Sequence, residues 1–311
     1  MELPPKLWFK LQRLRTALRS LLGEKKPTYD TAHRMCPSCR ALIDRNASVC
    51  PLCGAHVRSP RARGSVNPGR VMGGVVPVPS AANTIIIGVT IVIYALSWFL
   101  TQRAAAATLQ SAPALGGIST GVLVRLGAKC PLIFAGQWWR LVTAVFLHAG
   151  LIHIGFNLWC LFDIGPMVES LFSSSKYVVM YLVTGVFGYV ISLWWMPMGI
   201  SIGASGAIMG LIGILIGASF HHGALGKDMR RQLWHWVIYI AIFGLLPMFA
   251  VDNAAHFGGF ISGLALGYLV PEGEPHTRAD ENLWSTLAAV AVVVIAGSFA
   301  IMALGLSRPG G

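Results

Sequence analysis

Residues 203–220, GASGAIMGLIGILIGASF, decide the fold, because they are long, uncharged and spaced by glycine every three or four positions. Residues 253–270, NAAHFGGFISGLALGYLV, repeat this pattern. A hydrocarbon core of about 30 Å needs roughly 20 helical residues to cross it. Glycines on one face let two such helices approach closely in lipid. The two stretches therefore predict a pair of tightly packed transmembrane helices. The glycines concerned are Gly206, Gly210, Gly213, Gly217, Gly259, Gly263 and Gly267.

The composition of the whole chain indicates the same class of protein. Of its 311 residues, 55% are hydrophobic and 12% are charged, whereas a soluble domain carries about 25% charged residues. The apolar segments are too long for barrel strands, so helices must satisfy the backbone in lipid. The sequence predicts an all-α polytopic membrane protein. Its seven predicted spans are residues 84–101, 141–162, 177–196, 203–220, 233–250, 253–270 and 285–305.

The distribution of charge sets the expected orientation. Residues 1–80 hold 14 Lys and Arg against four Asp and Glu, and the rest of the chain holds ten against eight. Positively charged segments stay in the cytoplasm, so we expect a cytoplasmic N-terminus and, after seven crossings of the cell membrane, a C-terminus outside. The loop 102–140 conflicts with this rule, since it falls outside yet carries four cations. They are Arg103, Arg125, Lys129 and Arg140.

The region before the first span divides into three parts. Residues 1–33 have leucines at three- and four-residue steps flanked by lysine and arginine, which predicts a basic amphipathic helix. The pattern fits a helix on an anionic membrane surface and a partner-facing helix equally. Residues 34–56 contain four cysteines, and residues 57–82 have the composition of a flexible linker. The membrane domain covers residues 83–270, and residues 271–311 supply a loop and the seventh helix.

The four cysteines have the spacing of a small zinc ribbon. Cys36 and Cys39 form one Cys-x-x-Cys pair, and Cys50 and Cys53 form a second pair after ten intervening residues. Four thiolates give Zn²⁺ a closed tetrahedral structural site, and so short a segment depends on metal to fold. Disulfides are the alternative, but the cytoplasm is reducing. We expect a zinc unit that docks a cytoplasmic protein. Nucleic acid is not expected, because no aromatic stacking face is evident.

Two polar residues lie near the starts of the glycine-rich helices. Ser205 begins the first helix and His256 lies in the opening turn of the second, so both fall at a similar depth near the outer surface. Ionisable groups in a membrane are costly and face the protein interior. A serine hydroxyl becomes a nucleophile when an adjacent histidine takes its proton. We predict a dyad rather than a triad, since Asp252 is better placed as the helix N-cap.

A histidine and an asparagine on the second predicted span add hydrogen-bond donors. His153 and Asn157 are four residues apart and therefore share one helix face. Together with the backbone N–H of Ser205, they could stabilise the oxyanion that acyl transfer generates. The alternative is a His–Asn pair that only bonds a neighbouring helix. His148, nearer the outer end, is interpreted as structural.

Four motifs, in order and spacing, resemble the rhomboid family of intramembrane serine proteases. They are Trp139-Arg140, His153-x-x-x-Asn157, Gly203-Ala204-Ser205-Gly206, and Ala255-His256-x-x-Gly259 with Gly263. The resemblance covers roughly residues 84–270. It implies a rhomboid-like six-helix bundle, to which residues 285–305 add one extra C-terminal helix. Met209 departs from members that carry tyrosine or phenylalanine one turn after the serine.

The resemblance also implies roles and an activity. Ser205 would be the nucleophile, His256 the base, and His153 and Asn157 the oxyanion donors. The substrates would be transmembrane proteins cleaved near their outer ends, without a catalytic metal or an organic cofactor. One alternative is a catalytically silent rhomboid-like protein that binds transmembrane clients, and its sign would be loss of the serine or histidine. Another is a transporter lined by histidines, including His148, although the spans offer no paired carboxylates.

Overall fold

The computed structural model describes two compact units of the chain, Met1–Asn67 and Pro68–Gly311. The described residues are 33–36, 41–44, 47, 49–54, 81–108, 111, 113–245, 251–275 and 277–306. The predicted amphipathic helix before residue 33, the fourth predicted zinc ligand Cys39, and linker residues 57–80 lie outside them.

In the first unit, a two-stranded antiparallel sheet lies beside the cysteines. Strand β1 (His33–Met35) pairs with β2 (Leu42–Asp44). Ile43 packs with Cys36 and Cys50 in a small buried cluster. The hairpin therefore brings the two cysteine-containing segments together.

In the second unit, seven helices of at least 15 residues occur among the described residues. With two short helices, they run in the order α1 (Ala81–Thr108), α2 (Thr120–Arg125), α3 (Arg140–Thr143), α4 (Leu151–Phe172), α5 (Ser174–Trp195), α6 (Ser205–Ser219), α7 (Gly223–Leu245), α8 (Asn253–Leu269) and α9 (Arg278–Leu306). Four of them, α1, α4, α5 and α9, are long and apolar enough to cross a membrane, and α6 is apolar but shorter. The chain is a multi-pass helical membrane protein, and the number of crossings stays a prediction.

The second long helix begins ten residues later than the sequence predicts. The predicted span was 141–162, whereas α4 runs from Leu151 to Phe172. Residues 141–148 are buried in α3, in a 3₁₀ turn and in extended chain. Hydropathy does not distinguish burial against protein from burial in lipid, and for this reason the predicted start was wrong.

Charged residues lie inside two helices where the sequence predicts helix ends. The Glu169 carboxylate in α4 is buried and accepts hydrogen bonds from two N–H groups in the first turn of α1, at 3.1 and 2.9 Å. The predicted loop 221–232 is mostly helical, because α7 begins at Gly223. Arg230 in that helix donates to the Ser219 carbonyl at 2.8 Å. Protein partners satisfy these charges, so they do not end the helices.

Helix α6 is enclosed by its neighbours, since every residue from 206 to 219 is buried. Its glycines meet the backbone of α8. A Cβ added to Gly259 would collide with the Gly206 carbonyl oxygen, and one added to Gly263 would collide with that of Gly210. Two helices approach this closely only where neither carries a side chain. The predicted close packing of the two glycine-rich helices is confirmed.

Buried cations organise the chain between α1 and α4. The Arg140 guanidinium donates to the carbonyl oxygens of Val124 and Ala128, at 2.6 and 3.1 Å. Lys129 is fully buried as well. These two cations bond protein carbonyls, so they do not act as exposed loop charge. The conflict with the orientation rule is smaller than the sequence suggests.

Candidate active site

Ser205 is the first residue of α6 and follows a tightly held loop. Its side chain is half-buried. Gly203 in the loop has a φ of 121°, a conformation that favours glycine. The Gly203 N–H donates to the Ala144 carbonyl at 2.9 Å, and the Tyr189 hydroxyl donates to the Gly203 carbonyl at 2.8 Å. These bonds hold the backbone two residues before the predicted nucleophile.

His256 lies in the first turn of α8, where it is 8% exposed. Asp252 caps this helix, because its Oδ1 accepts a hydrogen bond from the Ala255 N–H at 2.9 Å. The predicted N-cap is therefore confirmed. The Nε2 atom of His256 is buried and has no hydrogen-bond partner among the described residues. Buried polar atoms without partners are uncommon, so this nitrogen is a candidate for bonding a substrate or a moving hydroxyl.

The contact between α6 and α8 brings Ser205 and His256 to the same end of one helix pair. Gly206, next to Ser205, faces Ala255, next to His256, and a Cβ on Gly206 would lie 3.4 Å from the Ala255 carbonyl oxygen. His256 Nε2 forms no hydrogen bond with Ser205 in this structure, and the dyad stays a prediction. Catalytic hydrogen bonds are often long in ligand-free enzymes. Met209, one turn after Ser205, is buried.

His153 faces the same loop from the first turn of α4. Its Nδ1 accepts a hydrogen bond from the Ala149 N–H at 3.4 Å, which leaves Nε2 as the protonated nitrogen of a neutral ring. A Cβ on Gly203 would lie 2.7 Å from His153 Nε2 and 3.8 Å from Ser205 Oγ. Both atoms therefore border the bare α-carbon of Gly203. A side chain there would separate the hydroxyl from this donor.

Asn157 lies one turn further along α4 and is buried. Its Nδ2 donates to the His153 carbonyl at 2.8 Å. This bond uses one of the two hydrogens on that nitrogen. Its Oδ1 is buried without a partner among the described residues. Asn157 thus braces the turn that carries His153 and keeps one N–H for a further acceptor.

His148 packs against His153 with 5.0 Å between ring centroids. Its side chain is fully buried. Burial, followed by the neighbouring His153, lowers the pKa of His148 to about 3. The ring is neutral at physiological pH, which agrees with its interpretation as a structural residue.

The cysteines of the first unit form a separate candidate metal centre. The Sγ atoms of Cys36, Cys50 and Cys53 lie within 4.8 Å of one another. Cys36 and Cys53 are 3.7 Å apart, well beyond the S–S length of about 2.05 Å in a disulfide. Three thiolates this close can hold a metal ion. The fourth predicted ligand, Cys39, belongs to the part of the chain that is not described.

Two residues near the site were missed from the sequence. Tyr189 gave no signal, because an aromatic residue on an apolar helix is ordinary core. Lys129 did give one, since it was among the cations that conflict with the orientation rule. A lysine in such a loop is a candidate for a buried cation that bonds the protein itself.

These observations define a polytopic helical membrane protein with a serine, a histidine and hydrogen-bond donors beside a glycine-lined helix contact. Residues 135–273 match the family model of the rhomboid domain. The chain therefore carries a rhomboid domain, as its motifs predict.

Curated relatives agree with this assignment. The chain is 34% identical over 176 residues to RHOMBOID-like protein 6, mitochondrial, of Arabidopsis thaliana. The aligned residues make up 55% of this chain and 56% of that protein. It is 38% identical over 152 residues to Rhomboid protease GluP of Bacillus subtilis (strain 168), covering 48% and 29%. It is 34% identical over 142 residues to Rhomboid-type serine protease 2 of Emericella nidulans, covering 43% and 27%. The chain spans about half, or less, of the length of these relatives.

Proposed function

We propose that this chain is an intramembrane serine endopeptidase that hydrolyses transmembrane proteins near the outer face of the cell membrane. The observation that carries the proposal is the contact between α6 and α8, where the neighbours of Ser205 and His256 touch while His153 Nε2 borders the same loop. Two of the similar proteins are proteases by name. The orientation that goes with this function has a cytoplasmic N-terminus and an external C-terminus.

In the proposed reaction, the neutral His256 imidazole takes the proton of Ser205 Oγ as that oxygen attacks the scissile carbonyl carbon. The carbonyl oxygen becomes an oxyanion. It accepts hydrogen bonds from His153 Nε2–H, from Asn157 Nδ2–H and from the backbone N–H of the serine. The protonated His256 then gives its proton to the leaving amine. Water, activated by the same imidazole, hydrolyses the acyl-enzyme.

The proposed catalytic group is a dyad. The only carboxylate near His256 on its own helix is Asp252, and both of its oxygens are engaged, one by the Ala255 N–H and the other by the Ser192 hydroxyl. Asp252 therefore stabilises the helix end and does not orient the imidazole directly. The reaction needs neither a metal nor an organic cofactor.

The proposed substrates are single-pass proteins whose helices unwind readily near the outer face. In a helix the backbone carbonyls are bonded within the segment, and lipid offers them no other partner. A scissile carbonyl is therefore exposed to Ser205 only where the substrate helix opens.

Two substitutions test the dyad. Ser205→Ala and His256→Ala should each lower kcat on a model transmembrane substrate in detergent by at least about 10⁴-fold. Ser262→Ala is the matched control, because its hydroxyl bonds only carbonyls of its own helix, and it should keep full activity. A fluorophosphonate should label the wild-type chain and not Ser205→Ala. Continued cleavage by either dyad variant would refute the assignment of Ser205 and His256 as the catalytic dyad. A wild-type chain that the fluorophosphonate does not label would favour a catalytically silent protein that binds transmembrane clients.

We also propose that Cys36, Cys39, Cys50 and Cys53 hold one structural Zn²⁺ in a unit that binds a cytoplasmic protein. The support is the cluster of three sulfurs and the Cys-x-x-Cys spacing that adds the fourth. Elemental analysis of the purified chain should find about one zinc per molecule. Cys50→Ser should lose it, whereas Cys160→Ser, in the other unit, should keep it. Retention of zinc by Cys50→Ser would exclude this ligand set.

A further inference from the structure

Lys129 is a fully buried cation in the chain between α1 and α4. Its ammonium group donates to the carbonyl oxygens of Met196 and Ser192 at the C-terminal end of α5, at 2.6 and 3.4 Å. The last carbonyls of a helix lack partners within it and carry partial negative charge, which a cation satisfies. The Lys129 side chain therefore ties the end of α5 to the preceding loop.

The backbone of Lys129 holds the loop before the predicted nucleophile. Its N–H donates to the Ser201 carbonyl, and its carbonyl accepts from the Ser201 N–H, both at 3.0 Å. This pair is an isolated β-bridge. Ser201 lies four residues before Ser205. The position of the loop consequently depends on where Lys129 is held.

Ser192 links the same end of α5 to the helix of the predicted base. Its hydroxyl donates to Asp252 Oδ2, and Asp252 Oδ1 accepts from the N–H of Ala255. Ser192 is fully buried, as Lys129 is. A continuous set of hydrogen bonds therefore runs from Lys129 to the helical turn that carries His256.

Opposite charge reinforces these hydrogen bonds. Burial lowers the pKa of Lys129 below its ordinary value, and the nearby Asp252 carboxylate opposes that shift. Burying charges is costly, and one reason to keep them is that they specify a single arrangement. A neutral donor would form hydrogen bonds with the last carbonyl groups of α5 at a lower desolvation cost. The charged pair is better suited to fixing several segments relative to one another.

We propose that Lys129, Ser192 and Asp252 act together as positioning residues that hold Ser205 in register with His256. The inference rests on the proposed protease function and deepens it. The three residues act through the loop before the serine and the cap before the histidine. Because a misplacement of about 1 Å can lower a rate about 100-fold, small movements of either segment matter.

Kinetics of Ser192→Ala test the proposal in the full-length chain. This variant removes the link to Asp252 and keeps both the helix cap and the lysine–carbonyl bonds. We expect kcat per active site to fall by about 10- to 100-fold with KM nearly unchanged. Lys129→Met should have the same effect, and Ser262→Ala should have none. End-point labelling with a fluorophosphonate counts intact sites, so a loss of folded protein is separated from a loss of rate.

Hydrogen exchange supplies a measurement that does not depend on catalysis. In Ser192→Ala, backbone amides of residues 199–205 and 252–257 should both exchange about 10-fold faster, and in Ser262→Ala neither should. Faster exchange confined to α5, or an unchanged kcat per labelled site, overturns the inference. If the wild type is neither labelled nor active, the proposed function fails. The exchange result then decides alone whether these residues tie the two segments together.

Discussion

Gly259→Ala tests the helix contact on which the proposed dyad depends. The added methyl group would collide with the backbone carbonyl oxygen of Gly206, and a backbone atom cannot rotate aside as a side chain can. A carbon and a carbonyl oxygen need about 3.3 Å between their centres, so α6 and α8 must separate by roughly 1 Å. Gly206 follows Ser205, and Gly259 lies one turn after His256. The separation therefore opens the site itself.

The substitution should lower the catalytic rate strongly and leave the protein folded. Overpacking a well-packed contact costs about 1–3 kcal/mol of stability, which a multi-helix protein can tolerate. A displacement of about 1 Å between catalytic groups lowers the rate about 100-fold, and this corresponds to about 2.7 kcal/mol of transition-state stabilisation. We expect Gly259→Ala to remain folded and to lose about 100-fold in kcat.

The assay compares kcat on a transmembrane substrate in liposomes with thermal unfolding in detergent. Gly297→Ala in α9 is the matched control, because its Cβ meets no atom within 4 Å, and it should keep wild-type kcat. Gly206→Ala should stay close to this control, since its Cβ lies 3.4 Å from the Ala255 carbonyl oxygen and does not collide with it. Wild-type kcat and an unchanged unfolding temperature in Gly259→Ala would refute the reasoning.

Two further predictions concern the surroundings of the site. Tyr189→Phe keeps the ring and removes the hydroxyl that bonds the Gly203 carbonyl, so kcat should fall about 2- to 12-fold, the equivalent of about 0.5–1.5 kcal/mol. An unchanged kcat would show that the loop keeps its position without this hydroxyl. His148 has a folded pKa of about 3 against an unfolded value of about 6.5. Its contribution to stability is therefore complete above about pH 6.5 and is lost as the pH falls toward 3. His148 alone should lower the free energy of unfolding of the wild type between about pH 7 and 5, by up to about 1.4 kcal/mol per pH unit. His148→Gln should show a flatter profile, and an equal slope in both proteins would assign the effect to another group.

The sequence determined the residue chemistry and the pairing of the two glycine-rich helices. The glycine spacing of residues 203–220 and 253–270 was sufficient to predict that two helices pack backbone to backbone, because only small residues allow that approach in lipid. Asp252 was recognisable as a cap from its position before an apolar run. The predicted ends of α6 and α8 agree with the structure to within two residues.

Tertiary structure alone decided where α4 and α7 begin and which charges are internal. Glu169 continues a helix because its partners come from α1, 86 and 87 residues away in the chain. Lys129 is buried because the carbonyl oxygens that accept hydrogen bonds from its ammonium group lie 63 and 67 residues further along the chain. Hydropathy scores each residue by its own side chain, whereas the free energy of burying a charge depends on partners that only the folded chain brings near.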